Sequence, residues 1–390
     1  MIRRVAGFLI LIALGILLGF LIVQVPKLDA QMNPVAPHEP YPVGEAARKL
    51  HDTLYVADLH ADSLLWKRDM RKRQTRGQVD LPRLREGGID LQVFSAVTQS
   101  PRGQNFAGNA TDAPDNITPL AMAQLWPVRT YGSIYERAAY QAQRLQQVEA
   151  DEDAGLVIAR TKADLDQPDG TIVGLLLTEG SHPLEGELTN IDRLYDEGYR
   201  AMGLQHFFDN ELGGSLHGQS KGGLTEFGRA AVDRMWDRNI AVDLAHSSEQ
   251  VARDVLEMNL MRPVPGAVFI SHGGVRGGCA VTDQRNLPDD ILKDLARQRG
   301  ILGVGYFEGA ICDISPAGIA GAIAAAIDVM GVDAVALGSD FDGTVRTSLD
   351  TSELPALTQA LLDAGLSEPT IRAVMGGNAR RFFTESLPDE

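Results

Sequence analysis

The chain has 390 residues, 44% of them hydrophobic, and 40 glycines, a composition that suits a well-packed α/β enzyme with many turns. Its formal net charge is −16 at pH 7, which argues against nucleic acid as a partner because an acidic surface repels phosphate backbones. The two cysteines, Cys279 and Cys312, are too few for a fold built on disulfides, and their spacing fits one bridge as well as two free thiols.

A hydrophobic run at the start of the chain predicts a membrane anchor. Residues 5–23 are uncharged and mostly apolar, and they follow Arg3 and Arg4. A membrane-spanning helix needs about 20 such residues, whereas the core of a signal peptide has about 7–15. Because the arginines favour a cytoplasmic N-terminus, we expect residues 1–23 to form a transmembrane helix in an inner membrane, with the remainder in the periplasm. A segment cleaved near residue 30, which would release a secreted protein, is the alternative.

The following segment is rich in proline. Residues 24–48 contain five prolines and little hydrophobic pattern, which predicts an extended tether before a catalytic domain at residues 49–390. Within that domain, short apolar runs alternate with helical patterns. We expect strands at 55–60, 90–97, 171–178, 199–205, 240–245, 267–271, 300–306 and 334–339. We expect helices at 133–152, 188–197, 224–238, 248–260, 288–299, 316–330, 353–364 and 368–383.

Eight strands joined by helical crossovers predict an α/β fold, a closed (β/α)8 barrel of the TIM type. Several strands are continuous apolar runs, as expected where both faces of a parallel sheet are buried. The irregular segment 98–131 follows the second strand. We therefore expect it to cover the end of the barrel at which these folds place their active sites.

Side chains that bind metals stand at the ends of these strands. The first strand contains His60 and leads into Asp62, and the two side chains share one side of the strand. The pair alone fits a zinc site or a buried histidine hydrogen-bonded to an aspartate. Other predicted strands lead into further histidines and carboxylates, namely Glu179, His206, His246, His272 and Asp340. Since packing does not account for so many buried charges, the cluster predicts a metal centre.

The other four histidines are not assigned to this centre. His38 falls in the predicted tether, and His51 falls in a helix before the first strand. We expect His182 and His217 to lie in surface loops, and the alternative is that they line the cleft.

Eight short motifs follow one another along the chain. They are Asp58-Leu-His-Ala-Asp62, Thr178-Glu-Gly180, Leu204-Gln-His206 followed by Asp209-Asn210, Asp243-Leu-Ala-His246, Ile270-Ser-His272, Arg285-Asn-Leu-Pro-Asp289, Gly338-Ser-Asp-Phe-Asp-Gly343 and Gly377-Asn378. In their order and spacing the chain resembles the membrane dipeptidase family, peptidase family M19, whose members are binuclear zinc enzymes on barrels of the metal-dependent amidohydrolase type. The resemblance extends from about Leu54 to Phe383.

The resemblance implies two zinc ions per chain. His60 and Asp62 would bind one ion, His246 and His272 would bind the other, and Glu179 would bridge the pair. Many related barrels use a modified lysine at the bridging position. Two ions that share a water lower its pKa and supply a hydroxide for attack on the peptide carbonyl.

The resemblance also implies how a substrate is held. His206 would donate a hydrogen bond to the carbonyl oxygen as negative charge develops there. Arg285 would grip the substrate's carboxylate, and a salt bridge with Asp289 or Asp290 at a helix start is the alternative for this residue. Asp340 would pass a proton from the water to the leaving amine.

Four further expectations follow from the resemblance. Cys279 and Cys312 match positions at which the animal enzymes form a disulfide, so the resemblance implies a bridge, and Asp342 is expected to be structural. At Gly309 this chain lacks the aromatic residue that the animal enzymes carry at the pocket wall. The preference of those enzymes for particular substrate side chains is therefore a weaker guide to this chain. Members of the family are often homodimers, and the resemblance extends that expectation to this chain.

The expected function is hydrolysis of dipeptides, because a carboxylate grip inside a closed cleft excludes longer peptides. One alternative is another amide or ester hydrolase on the same metal pair, such as an N-acyl amino acid deacylase or a lactonase. The other is a membrane-tethered binding barrel without catalysis.

Overall fold

The computed structural model describes residues 23–389. The predicted transmembrane helix therefore lies outside the described residues, apart from Val23. No helix within the described part of the chain is both long and apolar enough to cross a membrane.

A parallel barrel forms the centre of the molecule. Its strands are β1 (Val56–Ala61), β2 (Ile89–Val97), β3 (Leu156–Ile158), β4 (Ile172–Glu179), β5 (Tyr199–Gly203), β6 (Ala241–Asp243), β7 (Val268–Gly273), β8 (Leu302–Val304) and β9 (Val335–Leu337). All except β3 close into an eight-stranded ring, because β2 pairs with both β1 and β4 and β9 pairs with β1. The prediction of a TIM-type barrel is confirmed.

Each predicted strand is present, with ends that differ by a few residues. The additional strand β3 is only three residues long and pairs with the first half of β4, outside the ring. Strand β4 is buried at every position, and its single charged residue, Glu179, stands at its C-terminal end. This arrangement carries a polar group to the top of an otherwise apolar strand.

The helices surround the ring. They are α1 (Glu45–His51), α2 (Leu81–Glu86), α3 (Ile117–Ala123), α4 (Arg129–Gly132), α5 (Ile134–Glu149), α6 (Thr189–Asp196), α7 (Glu226–Asp237), α8 (Glu249–Met261), α9 (Thr282–Arg285), α10 (Asp289–Arg297), α11 (Pro316–Met330), α12 (Leu354–Asp363), α13 (Glu368–Arg372) and α14 (Asn378–Ser386). The eight predicted helices all have counterparts.

The last predicted helix, 368–383, is divided. A π-helical turn, Ala373–Gly377, separates α13 from α14. A side chain at Gly376 would collide with the backbone carbonyl of Tyr55, so the chain approaches the start of β1 more closely than any residue but glycine permits.

The structure differs from the extended tether that was expected for residues 24–48. Residues 23–32 are helical, and residues 23–36, called the N-terminal segment below, contact the barrel rather than extend away from it. Asp29 is 2% exposed and pairs with Arg68 and Arg76 at 3.3 and 2.8 Å. The Ala36 amide donates to the Thr347 carbonyl at 2.7 Å. Buried ion pairs and backbone hydrogen bonds hold this segment in place despite its prolines.

Candidate metal centre

Six of the predicted site residues meet at the C-terminal end of the barrel. Their donor atoms form three overlapping groups in which all atoms lie within 4.8 Å of one another. The groups are His60, His272 and Asp340; Glu179, His246 and His272; and His60, Asp62 and Glu179. Strands β1, β4 and β7 and the loops after β1, β6 and β9 contribute these side chains.

Glu179 stands at the centre of the cluster. Its Oε1 atom lies 3.1 Å from His246 Nε2 and 3.6 Å from both His272 Nε2 and His60 Nε2. Asp62 Oδ1 lies 3.4 Å from His60 Nε2. Donor atoms that share a tetrahedral zinc lie about 3.3 Å apart, given metal–ligand bonds of about 2.0–2.2 Å. The spacing of these donors therefore fits a divalent metal.

The electrostatics of the cluster also fit a cation. Burial, followed by the nearby charge of Asp62, raises the pKa of Glu179 well above its usual value and that of Asp340 to about 8. Burial alone would lower the pKa of His60, but Asp62, Glu179 and Asp340 raise it to about 10. His60 Nε2 and Asp62 Oδ1 have no hydrogen-bond partner among the described residues. Positive charge at this point would relieve the repulsion between three buried carboxylates.

Ser271 orients two of the imidazoles. Its hydroxyl donates to Asp243 Oδ2 at 2.6 Å, so its oxygen can accept from Nδ1–H of His60 at 3.1 Å and of His272 at 2.9 Å. With Nδ1–H directed at Ser271, each ring turns its Nε2 towards the cluster, and in the neutral ring that nitrogen carries the lone pair that binds metals. Sequence reasoning assigned no role to Ser271 or Asp243; the signal was a buried acid at the end of β6 and a small polar residue beside His272.

Arg285 and His206 border the same cavity as the cluster. Arg285 is 2% exposed, and its guanidinium donates to the backbone carbonyls of Ala245 and His272 at 3.1 and 3.3 Å. No salt bridge to Asp289 or Asp290 forms among the described residues, so the alternative interpretation of Arg285 is wrong; Arg253 pairs with Asp290 instead. Burial lowers the pKa of Arg285.

His206 has one ring nitrogen engaged. Its Nδ1 lies 3.0 Å from the Gln99 carbonyl, and its Nε2 lies 3.5 Å from Glu179 Oε2. Burial lowers the pKa of His206 to about 4. In the neutral ring, Nδ1–H donates to Gln99 and Nε2 is an acceptor.

Asp340 stands in a loop with an unusual backbone. Asp340, Asp342 and Thr344 have φ angles of 63, 63 and 62°, in the left-handed region that residues with a side chain seldom adopt. Asp342 is fully buried; it accepts a hydrogen bond from Ser63 Oγ at 2.7 Å and forms an ion pair with Arg68 Nη2 at 2.9 Å. These contacts make Asp342 a structural support for the loop, as expected.

A cavity of about 650 Å³ opens above the cluster. The segment predicted to cover this end of the barrel does so, since Phe106, Ile117 and Leu120 line the cavity. Arg137 holds the segment by donating to the Thr98 carbonyl and to Asp115, both at 2.7 Å.

A family profile described as "Membrane dipeptidase (Peptidase family M19)" matches residues 44–387. The chain belongs to this family. It is accordingly a metallopeptidase of the M19 type, and the cluster of histidines and carboxylates is the candidate for its metal-binding region.

Three individual proteins illustrate the relationship. The chain is 29% identical to Dipeptidase aclJ of Aspergillus oryzae over 353 residues, which cover 84% of this chain and 77% of the relative. It is 26% identical to Dipeptidase 3 of Mus musculus over 372 residues, covering 87% of this chain and 66% of the relative. A metallo peptidase from Rhodobacter sphaeroides, liganded with a phosphinate mimic of the dipeptide L-Ala-D-Ala, has a TM-score of 0.67 and 25% identity, covering 86% of this chain and 100% of that one.

Two histidines of this M19 enzyme are buried, although surface positions were predicted for them. His182 and His217 are 4% and 0% exposed, so their placement in surface loops is wrong. The ring of His217 packs against Phe207, and its Nδ1 lies 3.2 Å from the Phe106 carbonyl. Burial lowers the pKa of both histidines to about 3.

The disulfide implied by the family resemblance is present. Cys279 and Cys312 are bonded, with their Cα atoms 5.9 Å apart. The bridge joins the loop after β7 to the loop after β8, and α9 with Arg285 follows Cys279 directly. It therefore ties down the segment that carries the buried guanidinium.

Proposed function

We propose that this M19 metallopeptidase is a zinc-dependent dipeptidase that hydrolyses the peptide bond of dipeptides. The observation that carries the proposal is the position of Arg285. A buried cation without a carboxylate partner among the described residues borders the same cavity as the metal-ligand cluster. The carboxylate of a substrate bound at the cluster would form the missing ion pair with Arg285.

In this proposal His60 and Asp62 bind one zinc ion, His246 and His272 bind the second, and Glu179 bridges them. Bound zinc would polarise the peptide carbonyl and lower the pKa of a shared water. Ser271 and Asp243 hold the His60 and His272 rings in the tautomer that such binding needs.

Arg285 fixes the substrate by its C-terminal carboxylate, which limits the distance between that carboxylate and the scissile bond. Because the backbone carbonyls of Ala245 and His272 already orient the guanidinium, little conformational freedom is lost on binding. In any peptide held this way, only the bond before the C-terminal residue reaches the cluster, and the cavity wall beyond the cluster limits how much chain can precede that bond. The geometry thus favours dipeptides.

Asp340 and His206 handle protons and charge. The raised pKa of Asp340 suits a carboxylate that takes a proton from water and gives it to the leaving amine. His206 uses Nδ1–H for Gln99, so it donates to the substrate oxygen through Nε2 only when doubly protonated. Negative charge developing on that oxygen would favour this protonated form and compensate for the lowered pKa of the buried ring.

A substrate panel tests the proposal. Purified, zinc-loaded protein should release free amino acids from L,L- and L,D-dipeptides and leave N-acyl amino acids and lactones intact. Hydrolysis of N-acyl amino acids or lactones alone would assign the same centre to a deacylase or lactonase. Metal analysis should give two zinc ions per chain; less than one ion, together with no hydrolysis of any class, would favour a binding barrel.

We further propose that residues 1–23 anchor the enzyme in an inner membrane and that the domain at residues 49–390 works in the periplasm. The disulfide between Cys279 and Cys312 supports an oxidising location. Membrane fractionation and protease accessibility of intact spheroplasts would check it: a domain protected from external protease would contradict the orientation. The homodimer expected from the resemblance stays a prediction, measurable by light scattering.

A further inference from the structure

The N-terminal segment forms part of the cavity wall. Leu28 and Met32 line the cavity, although they precede the barrel in the sequence. Met32 packs against a buried cluster that includes Trp66 and Ile117, and Leu28 is 41% exposed. The outer part of this wall is therefore made by residues whose sequence predicted only a tether.

This wall faces the carboxylate-binding residue across the barrel. Arg285 is held by the carbonyls of Ala245 and His272, at the ends of β6 and β7. Trp66 follows β1, and Val97 ends β2. In the closed order β1-β2-β4-β5-β6-β7-β8-β9, β1 lies opposite β6, and β2 lies opposite β7. A dipeptide held at Arg285, with its peptide bond at the cluster, directs its amino-terminal residue towards this wall.

The wall is apolar and leaves room for a large side chain. The charged residues that line the cavity are Asp62, Glu179, Arg285 and Asp340, all at the cluster or the carboxylate-binding position. Most of the remaining lining groups are aliphatic or aromatic, among them Leu28, Met32, Trp66, Leu120 and Val345, and the uncharged polar ones other than histidine are Ser100, Gln104, Asn116 and Thr344. A cavity of about 650 Å³ is much larger than a dipeptide of two small residues requires.

The wall is also fixed in position. Asp29 pairs with Arg68, which pairs in turn with Asp342 in the loop that carries Asp340. Asn33 Oδ1 accepts from the Thr344 amide of the same loop at 2.9 Å. Buried ion pairs and hydrogen bonds on both sides of Met32 make a preformed surface rather than a mobile flap.

We infer that Leu28 and Met32 form a subsite for a bulky apolar side chain on the amino-terminal residue of the substrate. The preferred substrates are then dipeptides whose first residue resembles leucine, methionine or phenylalanine. This inference rests on the proposed dipeptidase function and specifies its substrate class.

The test compares kcat/KM for Leu-Ala and Ala-Ala on full-length, zinc-loaded protein. The wild type should have a kcat/KM for Leu-Ala about tenfold or more above that for Ala-Ala. In a hydrophobic pocket, one additional methylene group on the substrate already changes kcat/KM by about tenfold or more. The double variant Leu28→Ala/Met32→Ala should lose most of this preference, mainly through a higher KM for Leu-Ala, and Met32→Leu alone should retain it. The matched control is Leu260→Ala/Met261→Ala, because these side chains on α8 are 72% and 81% exposed and lie outside the cavity.

The outcomes separate this inference from the proposed function. Equal rates on Leu-Ala and Ala-Ala in the wild type, or an unchanged preference in the double variant, would overturn the subsite while the dipeptidase proposal stands. No hydrolysis of any dipeptide would overturn both. A loss of preference shared by the α8 control would also count against the subsite, because it would trace the effect to general destabilisation.

Discussion

Replacing Ser271 with alanine would remove the hydroxyl that orients two imidazoles of the metal centre. In the wild type this hydroxyl accepts from Nδ1–H of His60 and His272 and donates to Asp243 Oδ2. The variant leaves both Nδ1–H groups without that acceptor in a fully buried site. Each ring could regain a hydrogen bond for its Nδ1–H only by rotating, or could remove the unpaired N–H only by changing tautomer. Either change would make the Nε2 lone pair unavailable to a bound metal.

The expected cost follows from these contacts. An unsatisfied buried donor costs about 1–3 kcal/mol, and loss of a residue that supports a metal ligand lowers metal affinity about 10–100-fold. Since Ser271 supports two ligands, we expect the Ser271→Ala variant to fall at the upper end of that range. Asp243→Asn should also weaken binding, because an amide N–H facing Ser271 Oγ would turn the hydroxyl proton towards the histidines.

Competition with a fluorescent zinc chelator measures the affinity directly, independently of turnover. Ser95→Ala is the matched control, since Ser95 is also fully buried in a barrel strand and its hydroxyl has no partner among the described residues. Zinc affinity within twofold of the wild type in Ser271→Ala would refute the proposed orienting role, provided that Ser95→Ala behaves like the wild type.

Three further variants test the substrate grip, the proton carrier and the disulfide. Arg285→Lys keeps a positive charge but loses the planar fork, so we expect unchanged zinc content and at least a tenfold lower kcat/KM; a near-normal KM for dipeptides would contradict the carboxylate grip. Asp340→Asn should retain both zinc ions and lose nearly all turnover, and near-normal turnover in steady-state assays would remove Asp340 from the mechanism. Cys279→Ser/Cys312→Ser opens a bridge that spans 33 residues, which in the chain-entropy model lowers the free energy of unfolding by about 3–4 kcal/mol; denaturant titration with no such shift would contradict this value.

The positions of the barrel strands were predictable because each is a short apolar run bounded by polar residues. The same pattern predicted the candidate metal centre, since a buried run such as β4 tolerates a charge only at its end, where Glu179 stands. Strand β3 was missed because three apolar residues carry no periodicity.

Contacts between distant parts of the chain were not predictable. His217 stands among glycines and polar residues, as in a surface loop, but Phe106 and Phe207 from other segments cover its ring. Asp29 stands among prolines and polar residues, and its partners Arg68 and Arg76 come from beyond β1. The residues that bury His217 and Asp29 are distant in the sequence, and the local sequence carries no information about them.

The contact between the N-terminal segment and the loop after β9 has a consequence for the order of events while the ribosome synthesises the chain. Ala36 bonds to Thr347, and β1 pairs with β9, so the first and last parts of the chain complete the ring together. A growing polypeptide emerges from its N-terminus, and until residue 340 has emerged it lacks both the closing strand and Asp340. A partly made chain that stops before β9 therefore has neither the closed ring nor the carboxylate that the proposed mechanism uses to move a proton.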